Sequence, residues 1–150
     1  MNALLKNEWL SLVFRLIVGA VFVYAALDKI MHPDGFAKAV SNYRILPGSL
    51  INLVALFLPW LELLTGAALI LGTKVEGASF LISGMLVIFL IAVTATLIRG
   101  ISIDCGCFTT SSAGRKAGWG LLVQDTLLLL LSLHLLARGP GRFALEAKRA

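Results

Sequence analysis

The sequence predicts an all-α, polytopic membrane protein: a four-transmembrane-helix bundle with a short amphipathic interfacial helix between spans one and two. Three observations carry that prediction. Of the 150 residues, 59% are hydrophobic and only 14% are charged, and mean hydropathy is +0.92, far from the mix of soluble globular domains. The apolar residues come in blocks of about 20, the length at which a helix rising about 1.5 Å per residue crosses about 30 Å of hydrocarbon. The net charge of +5 lies almost wholly outside those blocks. It suits anchoring to the anionic head groups of a lipid bilayer; no motif for nucleic acid accompanies it.

Residues 1–150 read as a single membrane domain without internal repeats. The spans are expected at 9–27, 50–71, 78–98 and 119–137, with a cysteine-bearing connection over 99–118. Span one begins at Trp9, an interface anchor, and Gly19, Ala20, Ala25 and Ala26 offer smooth patches for a neighbouring helix. It carries Arg15 and shows no small-residue cleavage pattern before Asp28-Lys29, so it is expected to be a retained span ending there. Met1-Asn2 is incompatible with myristoylation, and the last residues lack a prenylation cysteine.

Pro33-Asp34 marks a helix start, after which Phe36, Val40, Tyr43 and Ile45-Leu46 recur at near-helical spacing against Lys38, Asn42 and Arg44. This is the amphipathic helix expected at the membrane surface, stopped by Pro47-Gly48. Span two contains Pro59, tolerated in a membrane helix because neighbouring groups satisfy the freed carbonyl, and Glu62 just beyond it. A tight turn over 72–77 makes spans two and three an antiparallel hairpin, and Ser79, Ser83 and Gly84 give span three a small-residue packing face. Span four starts at Trp119 and holds Gln124, Asp125 and, near its far end, His134, read as an interfacial residue.

Four spans place both termini on one side and both long connections on the other. Basic residues do not choose between the sides: Lys6, Lys74, Arg138, Arg142, Lys148 and Arg149 face Lys29, Lys38, Arg44, Arg99, Arg115 and Lys116.

Charges inside apolar spans cost several kcal/mol unless paired or neutralised. Arg15 lies about 6 Å to the terminal side of its helix midpoint and Glu62 near the middle of its own, so an Arg15–Glu62 bridge is expected to hold spans one and two together. Asp125 falls about one turn below the cysteine connection, placed to hydrogen-bond it or to accept a proton beneath it.

The cysteines are Cys105 and Cys107, separated by Gly106 and preceded by Asp104. A bridge between them would close a tiny loop and remove little entropy from the unfolded chain, so it would be a poor staple. Disulfide geometry asks for Cα atoms about 4.4–6.8 Å apart, which an i, i+2 pair around glycine just meets, in a strained ring that exchanges readily. Asp104 disfavours a thiolate, whereas Arg99, Arg115 and Lys116 favour it. One dithiol cannot relay electrons through a membrane in two thiol steps: either a partner protein supplies a second dithiol or a membrane quinone accepts the electrons. A metal reading, with Cys105 and Cys107 joined by His32, falls short of a closed zinc set and suits Cu(I) better. The remaining alternatives are two inert loop thiols, or a docking and assembly factor that uses the pair only as a tether.

The run Arg15…Gly19…Lys29…Pro33…Phe36…Tyr43-Arg44-Ile45-Leu46-Pro47, then Pro59-Trp60-Leu61-Glu62-Leu63-Leu64-Thr65-Gly66, then Asp104-Cys105-Gly106-Cys107-Phe108, resembles the MauE/DoxX-like membrane proteins. The cysteine motif points to the methylamine-utilisation MauE branch, although Thr109 stands where that branch usually has glycine. The resemblance implies a four-span bundle in the bacterial inner membrane, its cysteine loop periplasmic and its termini cytoplasmic. It also implies thiol–disulfide exchange with a thioredoxin-like partner, for a disulfide-containing exported client such as a dehydrogenase subunit. On that reading Cys105 and Cys107 carry the chemistry, Asp104 or Asp125 tunes proton transfer, and Arg15 and Glu62 hold the bundle. An oxidising compartment is where such a disulfide persists.

Overall fold

A computed structural model describes residues 7–100, 119–139 and 145. Among them the chain forms five helices: α1 (Glu8–Met31), α2 (Pro33–Asn42), α3 (Gly48–Leu71), α4 (Val75–Ile98) and α5 (Trp119–Arg138). The architecture is all-α.

The helix boundaries follow from local chemistry. Asn7 caps α1, its side-chain oxygen accepting the Trp9 backbone N–H at 3.2 Å. Far from ending at Asp28-Lys29, α1 runs on to Met31, and His32 serves as its last cap and as the lead-in to α2. Pro33 opens α2 at a position where its missing N–H costs nothing. The expected 72–77 turn is shorter than its sequence suggests. Gly72 adopts the left-handed conformation (φ 73°), Thr73 N–H donates to Ala68 C=O at 3.0 Å and Gly72 N–H to Leu69 C=O at 3.2 Å, a paired closure of the helix end. The next helix therefore starts at Val75, with Gly77 inside it.

α1 lies along α3 and α4 along α5, while contacts of α1 with α5 and of α3 with α4 complete a four-helix arrangement. α2 packs on α3 and on α1. Val18, Phe22, Leu69, Ile82, Leu86 and Leu135 belong to the shared apolar core. Ser83 and Ser132 join α4 to α5 through a buried hydroxyl pair at 2.8 Å. Of the small-residue face expected on span three, Ser79 and Ser83 are buried, but Gly84 is exposed, with nothing near the position of a Cβ.

Large apolar side chains cover the outside of all four long helices: Tyr24, Leu64, Ile88 and Leu130 are each more than half exposed. Such a surface is unfavourable in water and at home in hydrocarbon. Among the described residues α1, α3 and α4 are long and apolar enough to cross a membrane. The amphipathic helix α2 spends its apolar face on the protein itself, with Phe36 and Ala39 buried.

Candidate functional site

The deepest polar feature of the bundle grows from a glycine contact. A Cβ on Gly19 would lie 2.9 Å from the Gly66 carbonyl oxygen, and one on Gly66 would lie 3.0 Å from the Gly19 carbonyl oxygen. The two backbones therefore touch, as small residues allow in packed membrane helices. This contact fixes the antiparallel register of α1 against α3. Arg15 falls one turn from it towards the start of α1, and Glu62 one turn from it in the opposite direction, about 12 Å apart along the axis at 1.5 Å per residue.

Glu62 consequently pairs with Lys29. The Lys29 Nζ donates to both carboxylate oxygens, at 2.8 and 2.9 Å, with the two side chains 1% and 2% exposed. The expected Arg15–Glu62 bridge is thus corrected. The long Lys29 stem reaches down from the end of α1, whereas Arg15 sits buried towards the other end of that helix. Lys29 is also not one of the charges outside the spans, as the expected end of span one makes it; α1 is longer and carries it inside. A signal for this exists in the sequence: Val18, Phe22, Ala25, Ala26 and Lys29 form one stripe at helical spacing, and all are buried.

Two aromatic rings complete the enclosure of the ammonium, Phe36 of α2 at 5.0 Å and Phe89 of α4 at 5.5 Å from Nζ to ring centroid. Asp125 of α5, 1% exposed, lies close enough for its charge to act on Lys29, and its Oδ2 has no hydrogen-bond partner among the described residues. Tyr43, just after α2, is buried. Burial first, and the Asp125 charge second, hold its phenol well above the ordinary value, so it stays un-ionised. All five helices thus contribute to one cluster, at the end of the bundle where α4 stops and α5 starts.

Phe36, Tyr43 and Phe89 also line an apolar cavity of about 170 Å³, together with Val40, Leu58 and Met85. That volume would hold one small ring, and Tyr43 is the polar side chain in its wall. Elsewhere, Thr65 returns its hydroxyl to the carbonyls of Leu61 and Glu62, at 2.8 and 3.1 Å, next to the buried carboxylate. His134 meets the Phe14 ring edge-on at 5.1 Å, so it is packed between α1 and α5. His32 is turned to Asp28, with Nδ1 3.5 Å from Oδ1. No group of three metal-ligating side chains occurs among the described residues. Asp104, Cys105 and Cys107 lie outside the described residues, as do Arg115 and Lys116.

The family model for the methylamine utilisation protein MauE matches residues 7–138, which takes in all five helices. The chain belongs to the MauE family. Among its MauE relatives, the methylamine utilization protein MauE of Paracoccus denitrificans is 32% identical over 120 residues, covering 79% of this chain and 64% of the relative. The MauE of Methylorubrum extorquens is 34% identical over 134 residues, 89% of this chain and 72% of the relative. That of Methylophilus methylotrophus is 29% identical over 138 residues, 91% and 73%. The chain thus spans less than two thirds of the Paracoccus denitrificans MauE and nearly three quarters of the other two. No solved structure matches it. The MauE match and the three apolar helices together make this a helical membrane protein.

Proposed function

We propose that this chain supports disulfide maturation of exported proteins in methylamine utilisation, through thiol–disulfide exchange at Cys105 and Cys107. The observation that carries the reading is the MauE match across residues 7–138, which includes the connection bearing the cysteine pair. In this reading α5 crosses the membrane as well, making four spans in the bacterial inner membrane. The cysteine connection is periplasmic and the termini are cytoplasmic. A thioredoxin-fold partner supplies the second dithiol, or a membrane quinone takes up the electrons. Attack of a partner thiolate on the Cys105–Cys107 bond forms a mixed disulfide and releases one cysteine thiolate, which takes a proton. Attack by a second partner thiolate then resolves it, leaving the partner with the disulfide and Cys105 and Cys107 as two thiols; attack by the released cysteine only reverses the first step. Asp104 and Asp125 are the candidate proton carriers for these steps.

Trapping tests the exchange. Cys105→Ser and Cys107→Ser, expressed singly in cells, should each leave one thiol unable to resolve, and at least one variant should accumulate a reducible adduct with a periplasmic protein. If neither captures a partner while growth on methylamine persists, exchange is excluded. A double serine variant that still supports growth would favour a docking role without turnover. Labelling intact cells with a membrane-impermeant alkylating agent, before and after reduction, reads the side and redox state of the pair together.

A further inference from the structure

The bundle interior at the α4–α5 end holds one ammonium and two carboxylates. Lys29, Glu62 and Asp125 are each at most 2% exposed, and both described ammonium hydrogen bonds go to Glu62. One further carboxylate acts on Lys29 from the described helices: Asp28, the residue before it, which is partly exposed and turned to His32 at 3.5 Å, outside the buried trio. Tyr43 stays neutral. Asp34 and Lys38 of α2 are exposed. Glu76, the ionisable residue of α4, sits in its first turn at the other end, and His134 is nine residues along α5, about 13 Å from Asp125. Arg15 is 14 residues from Lys29 on the same helix, about 21 Å away. With every acid ionised the cluster would carry one uncompensated negative charge in an apolar interior, which membrane-embedded proteins avoid by pairing or neutralisation. Asp125 Oδ2, buried and without a hydrogen-bond partner among the described residues, is the atom where that cost would fall, because an ionised carboxylate needs donors most.

We propose that Lys29, Glu62 and Asp125 form a proton-binding site that holds one exchangeable proton on its carboxylates and is neutral when occupied. Occupation forms one O–H bond with a proton drawn from water and moves no electrons. Asp125 lies six residues into α5, about 9 Å along the axis from the helix start. Loss of the proton leaves Lys29 facing two anions and weakens the junction of α1, α3 and α5. The site rests on these helices alone and stands whether or not the cysteine pair exchanges disulfides.

Infrared difference spectroscopy on the full chain in lipid nanodiscs tests it, with pH as the perturbation. The expected result is a protonated-carboxyl carbonyl band near neutral pH, lost on alkalinisation, and abolished or shifted in Asp125→Asn. The thermal midpoint should fall as pH rises in the wild type and stay flat over the same range in Asp125→Asn. The Cys105→Ser/Cys107→Ser double variant should keep both signals, which separates this site from the thiol reading. Absence of the band from the wild type near neutral pH overturns the proposal regardless of how the variants fold. So does a band unchanged in both Asp125→Asn and Glu62→Gln.

Discussion

Gly19 of α1 and Gly66 of α3 meet backbone to backbone, and that contact decides that Glu62 is answered by Lys29 and not by Arg15. Two side chains that a reader of the sequence would pair are held about 12 Å apart along the helix axes. A third, near the end of α1, is delivered to the carboxylate.

Breaking the pair from one side leaves the other charge buried, which typically costs about 3–5 kcal/mol. Lys29→Met or Glu62→Leu alone should therefore lower the unfolding free energy in detergent or lipid by that order. The double Lys29→Met/Glu62→Leu variant should recover most of it, because two apolar side chains replace two charges. A double-mutant cycle for Lys29 and Glu62 should show strong coupling. The same cycle for Arg15 and Glu62 should show none, and a coupling there comparable to that of Lys29 would contradict the register set by the two glycines.

The glycine contact has its own signature. Gly19→Ala puts a methyl 2.9 Å from a backbone oxygen that cannot swing aside, so the helices must separate, at a cost of about 1–3 kcal/mol. Gly66→Ala should behave alike. Gly84→Ala is the control: its Cβ meets nothing within 4 Å, and its effect should stay within about 0.5 kcal/mol. Melting temperatures of the three variants in one lipid system would rank them.

The Ser83–Ser132 hydroxyl pair joins α4 to α5 across the core. Interhelical hydrogen bonds in membranes average about 0.6 kcal/mol, so Ser83→Ala and Ser132→Ala should each be mild. Their double-mutant cycle should return a coupling of that size. A coupling of zero would mean that these hydroxyls satisfy themselves on their own helices, as Ser132 does in part through the Leu129 carbonyl at 2.9 Å.

Phe89→Leu tests the aromatic enclosure. It keeps an apolar side chain against the cavity but removes one ring from the ammonium, at a cost of about 0.5–2 kcal/mol. Phe36→Leu should cost a comparable amount. Unfolding free energies of both single variants, each in a Lys29→Met background as well, separate the cation–π contribution from packing: in that background the ring should matter less.

Much of this molecule is legible in its amino-acid sequence alone. The apolar blocks announce long helices because hydrocarbon admits backbone only when its hydrogen bonds are closed within the segment. Pro33 and Gly72 announce a start and a stop because their backbone restrictions are local. Asp125 is recognisable as a buried acid from the apolar run around it, and the motifs of the MauE family are readable in order along the chain. Such features depend on neighbours a few residues away, so the linear order of residues contains them. The destination of Lys29 is different in kind. Its place on the buried stripe of α1 is periodic and readable, but its partner is set by how far α1 slides against α3, and one close contact between Gly19 and Gly66 fixes that slide. Counting from helix midpoints assumes that the two helices are centred on each other; they are offset, because α3 runs further beyond the contact towards its start than α1 does towards its end. The meeting of Lys29, Glu62, Phe36, Phe89 and Asp125 from five separate helices is likewise a product of packing, since long-range register is an energy shared by whole surfaces and is written in no single residue.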